Sequence, residues 1–129
     1  MADVPATLKY TKDHEWARIE GDRVVVGITQ HAVDQLGDVT LVGVDAKVGA
    51  AVSAGKAFGT VESVKTVSDL FAPVTGTLVE VNGALQSHPE KVNESPYDAG
   101  WMVVIQVADA SALNDLLDAD AYAKYLGTL

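Results

Sequence analysis

The chain contains no cysteine, and aromatic side chains, basic side chains and long apolar runs are all scarce. Without cysteine it forms no disulfide, has no thiol nucleophile and offers no thiolate to a metal ion. Any redox-active sulfur must therefore arrive on a cofactor. Aromatic residues make up 6% of the chain and hydrophobic residues 48%, so we expect valine, leucine, isoleucine and alanine to fill the core.

Basic residues are few relative to acidic ones. The chain has 9 lysines and arginines against 18 aspartates and glutamates, a formal net charge of −9 at pH 7. Nucleic-acid phosphates and anionic membranes repel such a protein, so we exclude both as partners. The charge favours a basic protein partner or a ligand with an ammonium group. The alternative interpretation is that the acidic residues only keep the protein soluble.

Signals for membranes, export, metals and catalysis are also missing. The apolar runs are too short to cross a bilayer, and residues 1–5 lack the basic start and apolar stretch of a signal peptide. His14, His31 and His88 show no metal-site spacing. An enzyme needs converging acid, base or nucleophilic groups, and none has a recognisable spacing. We expect one cytoplasmic domain, residues 1–129, without a metal site.

Short β-prone segments separated by glycine and proline dominate the chain, which predicts a mainly β fold. A hairpin is predicted around the turn at Gly21 and Asp22. Further strands are predicted at residues 39–44, 57–64, 67–72, 77–81 and 101–107.

Helical patterns occur in the middle and at the end of the chain. Thr29 as N-cap and Gly37 as C-terminal glycine bound a predicted helix at residues 30–36. Residues 87–100 are predicted to form an irregular loop. A C-terminal helical segment is predicted at about residues 111–126. Its first part is capped by Ser111 and has Leu113, Leu116 and Leu117 on one face, and its second part covers residues 120–126.

One lysine lies between two β-prone runs. If residues 57–64 and 67–72 pair as a hairpin, Lys65 lies at its tip, clear of the body of the protein. A lysine in that position can be acylated by a long cofactor such as lipoate or biotin, which removes its charge and leaves a flexible tether. Spacing alone does not distinguish this lysine from an ordinary exposed one.

The sequence around this lysine is more specific. It resembles the lipoyl attachment motif of glycine cleavage H proteins, and other matches follow in the family's order over nearly the whole chain. The motif here is Glu62-Ser63-Val64-Lys65-Thr66-Val67-Ser68-Asp69, then Ala72-Pro73-Val74-Thr75-Gly76. The other matches include Leu8-Lys9-Tyr10, His14-Glu15-Trp16, Val26-Gly27-Ile28-Thr29, Leu36-Gly37-Asp38, Val92-Asn93, Ser95-Pro96-Tyr97 and Gly100-Trp101.

The resemblance implies a lipoyl/biotinyl-type barrel-sandwich hybrid with a short internal helix and C-terminal helices, and a lipoyl hairpin at about residues 57–73. It implies a non-catalytic carrier with lipoate bound covalently to Lys65. The lipoyl disulfide would accept an aminomethyl group as the P protein (glycine decarboxylase) decarboxylates glycine. The T protein (aminomethyltransferase) would pass the carbon to tetrahydrofolate, and the L protein (dihydrolipoamide dehydrogenase) would reoxidise the dithiol.

The resemblance also implies secondary sites. H proteins shelter the loaded arm in a cleft near the His-Glu-Trp tract, so Glu15 is expected to pair with its ammonium group, assisted by Asp13 or Asp69. The competing interpretation is that Glu15 and Asp69 are solvated surface carboxylates. Glu62, three residues before Lys65, is expected to be read by the lipoate-attaching enzyme; otherwise it is a solvated strand residue.

Other carriers fit less well. Biotin domains place methionines beside the lysine, and lipoyl domains of 2-oxoacid dehydrogenases read Asp-Lys-Ala and lead into a linker. An H-like carrier that relays lipoyl groups to other enzymes would share the attachment site, and an unmodified Lys65 would leave an interaction module. We expect a monomer. At residues 43–48 the chain lacks the family's usual Leu-Pro pair, so this loop is expected to have its own shape.

Overall fold

The structure, a computed structural model, describes residues 4–108 and 113–129. Two antiparallel sheets and four helices make up these residues. The strands are β1 Lys9–Tyr10, β2 Glu15–Glu20, β3 Arg23–Ile28, β4 Val39–Val44, β5 Ala51–Val52, β6 Ala57–Ser63, β7 Val67–Phe71, β8 Gly76–Val81 and β9 Val103–Gln106. The helices are α1 Gln30–Leu36, α2 Ala84–Ser87, α3 Lys91–Glu94 and α4 Ala119–Leu126.

The strands form one sheet of six and one of three. The order is β1-β2-β3-β9-β8-β5 in the larger sheet and β4-β6-β7 in the smaller. The β2–β3 hairpin turns at Gly21, whose φ is +67°, a conformation that glycine adopts without a steric penalty. The predicted mainly β architecture is confirmed, and the predicted strands and the helix at 30–36 agree with the structure to within about two residues at each end.

The main core lies between the two sheets. It includes Val24 and Val26 of β3 and Ile105 of β9 from the larger sheet, packed with Val61 of β6 and Leu70 of β7. Alternate residues of each strand point inward, which is why short alternating valine runs suffice to build it. Aliphatic side chains supply nearly all of this cluster, as the scarcity of aromatic residues predicts.

A second cluster lies on the other face of the larger sheet. Val25, between the core residues of β3, points into it together with Trp16, and α4 closes it with Tyr122. Both faces of β3 are therefore buried, and the run of Val24 to Val26 is apolar throughout because of this double coverage. The chain ends by docking a helix over the first strands.

Two predicted segments differ from the structure. The predicted irregular loop at 87–100 contains the short helix α3, and α2 ends at Ser87. The predicted helix around Leu113 to Leu117 does not extend to Leu117. Leu113 lies in a 3₁₀ turn, and the Leu116 N–H donates to its carbonyl at 3.1 Å. Leu117 instead pairs as a strand with Tyr10 through two backbone hydrogen bonds of 2.7 and 2.8 Å. Ser111, its predicted cap, lies outside the described residues. The second helix is confirmed as α4, with Asp118 as its N-cap.

The unusual loop after β4 is tied to the hairpin strand β6. The backbone N–H groups of Asp45 and Ala46 both donate to the carbonyl of Phe58, at 2.8 and 3.2 Å. Gly43 and Gly59 pack closely, since a Cβ on Gly59 would lie 2.2 Å from the Gly43 carbonyl oxygen. No described helix is long and apolar enough to cross a bilayer.

Candidate functional site

Lys65 lies at the tip of the β6–β7 hairpin. The last paired residues of the ladder are Glu62 and Val67, and Ser63 closes the turn by donating its N–H to the carbonyl of Thr66 at 2.8 Å. Val64 and Lys65 form the two-residue loop, and every residue from Val64 to Asp69 is exposed. The predicted hairpin is therefore present, and its lysine extends into solvent.

The Ser63 side chain organises this turn. Its hydroxyl oxygen accepts the N–H groups of Lys65 and Thr66, at 3.3 and 3.2 Å. Serine forms such local bonds readily because its short side chain reaches backbone groups two or three residues ahead. The backbone of Lys65 is thus held in place while its side chain remains free in solvent.

The tip is also fastened to the segment after α1. The Val64 N–H donates to the Asp38 carbonyl at 3.1 Å. Asn93 fixes that segment from the other side, because its side-chain amide donates to the Gly37 carbonyl and accepts the Val39 N–H, each at 2.8 Å. Gly37 has a φ of +77°, and the Cε atom of Lys65 lies over its bare Cα face. The Lys65 side chain therefore passes over the backbone of Gly37, where no side chain blocks it.

Exposed apolar side chains surround the lysine. Val64 is 71% exposed, Val67 60% and Leu41 42%, and Leu41 lies opposite Glu62 in the adjacent strand β4. Single exposed apolar residues are common, but three beside one exposed lysine form a small apolar surface at the tip.

A cleft of about 270 Å³ opens beside the hairpin. The turn between β1 and β2, helix α1 and the hairpin form its three sides. Its lining residues are Asp13, His14, Glu15, Ile28, Ala32, Gln35, Leu36, Val61, Thr66, Ser68, Asp69 and Leu70. This lining combines an aliphatic floor with three carboxyl groups and includes no lysine or arginine. Such a cleft suits a narrow apolar chain that ends in a cation.

Glu15 is the buried acid of this cleft. It is 2% exposed, its Oε1 accepts the Thr11 hydroxyl at 2.7 Å, and its Oε2 accepts the Phe71 N–H at 3.4 Å. Burial raises the pKa of Glu15 to about 8, aided by the nearby charge of Asp13 and opposed by the two hydrogen bonds. No cation pairs with it among the described residues. At this pKa the protonated form of Glu15 predominates at pH 7.

His14 stands beside this acid in a strained conformation. Its φ is +70°, the left-handed region that side chains other than glycine seldom adopt. Its Nδ1 lies 2.8 Å from the Tyr122 hydroxyl, and its ring lies 4.5 Å from that of His31. Burial, followed by the neighbouring His31, lowers the pKa of His14 below 6.5, against the opposing effect of Asp13. The neutral imidazole adds no positive charge to the cleft at pH 7.

The structure brings together three of the five residues singled out in the sequence. Asp13, Glu15 and Asp69 line the cleft, with Glu15 buried and the other two exposed at its mouth. The two acids thus differ in exposure, since Glu15 is buried and Asp69 is exposed. Glu62 is half-buried on β6 and is not part of the cleft lining. Lys65 stands at the tip, next to Thr66 of the lining.

Four residues with clear contacts to the site were missed by the sequence reasoning. Thr11 hydrogen-bonds Glu15, His14 lines the cleft, Tyr122 holds His14, and Asn93 fixes the segment beneath Lys65. His14 and Asn93 fall within stretches that match the family, which was the available signal. Tyr122 had none, since its partner is 108 residues away in sequence.

Comparisons with known proteins agree with this geometry. Residues 8–128 match the family described as Glycine cleavage H-protein. The glycine cleavage system H protein of Geobacillus kaustophilus is 54% identical over 120 residues, covering 93% of this chain and 94% of that protein. The corresponding protein of Bacteroides thetaiotaomicron is 53% identical over 118 residues, covering 92% and 93%.

A solved structure is similar over nearly its whole length. The crystal structure of a glycine cleavage system H protein from Mycobacterium marinum superposes with a TM-score of 0.88 at 44% identity, covering 96% of this chain and 99% of that one. The sequence identity and the structural similarity both extend over more than nine tenths of each chain compared. The chain belongs to the glycine cleavage H-protein family.

Proposed function

We propose that this chain is the non-catalytic lipoyl carrier of the glycine cleavage system, with lipoate attached covalently to Lys65. One observation carries the proposal: an exposed lysine in a two-residue hairpin loop adjoins a cleft with an aliphatic lining and a buried carboxyl group that forms no ion pair with any described residue. An exposed lysine without a binding role would not require a cleft of this kind beside it.

The residues present fit a lipoyl group. The cleft is about 270 Å³ in volume, and Ile28, Leu36 and Leu70 give it walls suited to an aliphatic chain. Thr66 belongs to its lining and directly follows Lys65, so an arm on that lysine starts at the rim of the cleft. The chain itself contains no cysteine, and the cofactor would supply the sulfur chemistry.

The lipoyl group, when bound, supplies a disulfide that takes up the aminomethyl carbon of glycine and returns as a dithiol to be reoxidised. The residues of this chain present and shelter it. Lys65 provides the amide tether, and the bonds of Ser63 hold the backbone from which the tether leaves. The cleft limits contact with water, and Asp13 and Asp69 attract the cation at its mouth.

We infer that Glu15 distinguishes an arm that carries an ammonium group from an uncharged arm. Its pKa of about 8 keeps it protonated at neutral pH when the cleft is empty. An ammonium group that enters the cleft favours the carboxylate, so docking drives one proton from Glu15 to solvent. A neutral arm gives no such compensation. The arm with an ammonium group would therefore gain an ion pair with Glu15 that an uncharged arm lacks.

The arm must reach several partners. We propose the P, T and L proteins as partners, with Val64, Val67 and Leu41 as the apolar contact around Lys65. The lipoate-attaching enzyme reads the same tip, with Glu62 as the acid three residues before the lysine. The chain acts as a monomer in the cytoplasm; a tight dimer in sedimentation at low concentration, or recovery in another cell fraction, would contradict this.

Lipoyl relay to other enzymes uses the same lysine. Lipoyl relay gives the buried carboxyl group of Glu15 no binding role, because a relayed lipoyl group carries no ammonium group into the cleft. The buried acid therefore favours glycine cleavage over relay.

The direct test is the intact mass and peptide map of the chain after expression with lipoate and a working attachment system. We expect one lipoyl group on the Lys65 peptide, none in Lys65→Arg, and full modification in the matched control Lys56→Arg, which changes an exposed lysine before β6. The wild-type protein should then support glycine decarboxylation with purified P protein. An unmodified Lys65, beside a control lipoyl domain that is modified, would overturn the proposal.

A further inference from the structure

One buried hydroxyl contacts two sides of the cleft. Tyr122 of α4 is fully buried, and its ring stacks on that of Tyr10 with centroids 4.6 Å apart. Its hydroxyl lies 2.8 Å from the Nδ1 of His14 and 2.8 Å from the Oγ1 of Thr29. His14 lines the cleft, whereas Thr29 caps α1, the helix that lines its other side; neither Thr29 nor Tyr122 is itself part of the lining.

The first wall is the turn that carries Glu15. His14 lies just before Glu15, and its left-handed backbone reverses the chain so that β2 starts with the acid facing the cleft. The turn is closed by the His14 N–H, which donates to the Thr11 carbonyl at 3.1 Å. A conformation of this kind persists only where surrounding contacts fix it, and the hydrogen bond to Tyr122 is one such contact.

The second wall is α1. Thr29 is its N-cap, and the Thr29 hydroxyl oxygen accepts the Ala32 N–H at 3.3 Å. Ala32 and Leu36 of this helix line the cleft. A hydroxyl that accepts from a cap N–H still has its own proton to donate, so Thr29 can cap the helix and bond Tyr122 at once.

We propose that Tyr122 is a positioning residue of the cleft: its hydroxyl joins the turn that carries Glu15 to the start of α1 and holds the cleft in the shape that retains the loaded arm. The inference rests on the proposed function. Tyr122 acts through His14 and Thr29 and does not touch the arm. The C-terminal helix is thereby part of the site, although α4 is remote in sequence from the lipoyl hairpin.

The surroundings suit this role. Burial raises the pKa of Tyr122 to about 12, so its hydroxyl keeps its proton throughout the neutral range. Phenylalanine at this position would preserve the ring stack on Tyr10 and remove only the bridge. The effect of the hydroxyl is therefore separable from that of the packed ring.

The test compares Tyr122→Phe with Tyr125→Phe, which removes a hydroxyl from the same helix and leaves both hydrogen bonds of the bridge in place. The first readout is the NMR spectrum of the unlipoylated chain, which needs no loaded arm. We expect Tyr122→Phe to shift the amide signals of Glu15, Ala32 and Leu36. Tyr125→Phe should shift signals around α4 and in the turn at Lys12 and His14, which its ring contacts, and leave those of Ala32 and Leu36 unchanged. Unchanged cleft signals in Tyr122→Phe would overturn the proposal.

The second readout is the lifetime of the arm after loading with glycine by P protein. In its decay water displaces the sulfur at the aminomethyl carbon: a C–O bond forms and the C–S bond breaks, which frees the dithiol, and the C–N bond of the resulting aminomethanol then breaks to give formaldehyde and ammonium. We expect release about fivefold faster in Tyr122→Phe, the factor that one net hydrogen bond contributes, and no change in Tyr125→Phe. Melting temperatures of both variants are measured alongside.

A double-mutant cycle separates positioning from general loosening. If Tyr122 acts through the cleft, adding Tyr122→Phe to Glu15→Gln should accelerate decay far less than it does alone, because the retention it supports is already lost. Additive effects would overturn the proposal. Should Tyr122→Phe not fold, Thr29→Val removes the other end of the bridge, and Thr29→Ser should restore the long lifetime.

The outcomes distinguish the two levels of inference. A wild-type arm that decays as fast as a small aminomethyl thiol overturns the sheltering cleft and with it the role of Tyr122. A protected wild-type arm with equal protection in Tyr122→Phe overturns the role of Tyr122 alone and leaves the carrier function intact.

Discussion

The hairpin tip and the cleft beside it are built in opposite ways. At the tip, Lys65 and its neighbours are exposed, and most of the hydrogen bonds that order them lie within four consecutive residues, with one further bond from Val64 to Asp38. At the cleft, Glu15 is buried and is held by Thr11 and Phe71, while His14 beside it bonds Tyr122 from the far end of the chain. A carrier needs both, because attachment and delivery require access while retention requires burial.

The largest expected effect concerns the cleft and its buried acid. Glu15 has a pKa of about 8 in the folded protein, above the ordinary 4.5, so the native state binds more protons than the unfolded state between these values. Stability contributed by this group is present at low pH and lost as pH rises through 8. Glu15→Gln should therefore stabilise the protein at pH 9, by on the order of 3–5 kcal/mol, and have little effect at pH 4.

Urea unfolding at both pH values measures this difference. Asp34→Asn, an exposed carboxylate on α1, is the matched control and should shift stability by only a few tenths of a kcal/mol. Equal effects of Glu15→Gln at pH 4 and pH 9 would contradict the buried, protonated acid. His14, whose pKa is lowered, contributes in the opposite sense, since its stabilisation is present above pH 6.5 and is lost on acidification.

The next effect concerns packing behind the cleft. Gly27 lies opposite Trp16 in the β2–β3 ladder, and a Cβ there would lie 2.6 Å from the indole ring. Gly27→Ala should cost about 2–3 kcal/mol by overpacking a fully buried side chain. Gly83→Ala, where a Cβ meets nothing within 4 Å, is the control. A normal melting temperature for Gly27→Ala would show that the indole can move aside.

A smaller effect tests the support beneath the tip. Asn93→Ala removes the bonds to Gly37 and Val39, each 2.8 Å, and should cost about 1–2 kcal/mol. It should also increase hydrogen exchange at the Val64 amide, because this amide donates to the carbonyl of Asp38, which lies between Gly37 and Val39. Asn114→Ala, exposed and distant from the hairpin, should leave that amide protected. Unchanged protection of the Val64 amide in both variants would mean that the hairpin tip keeps its conformation without the hydrogen bonds of Asn93.

The smallest effect belongs to the tip itself. Ser63→Ala removes three local bonds of 3.2–3.3 Å and should cost about 0.5–1 kcal/mol. The rate of lipoylation should change little, since Lys65 stays in a two-residue loop. Ser68→Ala on β7 is the comparison. Loss of lipoylation in Ser63→Ala alone would show that the attaching enzyme reads the turn geometry closely.

Local patterns predicted local structure well. The helix at 30–36 was predicted from Thr29 and Gly37, and both act as its caps. The hairpin around Lys65 was predicted from its flanking β-prone runs. Prediction failed where distant partners intervened: Leu117 lies in a helical pattern, but its backbone pairs with Tyr10, far away in sequence. Backbone pairing with an available strand edge outweighs a weak helical preference.

The sequence by itself determined the mainly β fold, the lysine at a hairpin tip, and the absence of cysteine, because these follow from residue type and near neighbours. Only the tertiary structure decided that Glu15 is buried and protonated while Asp69 stays in water, although both are acids near the hairpin. It also brought Tyr122 to His14 and Thr29, across 108 and 93 residues. Burial and long-range hydrogen bonds depend on which surfaces meet, and a linear pattern does not specify that.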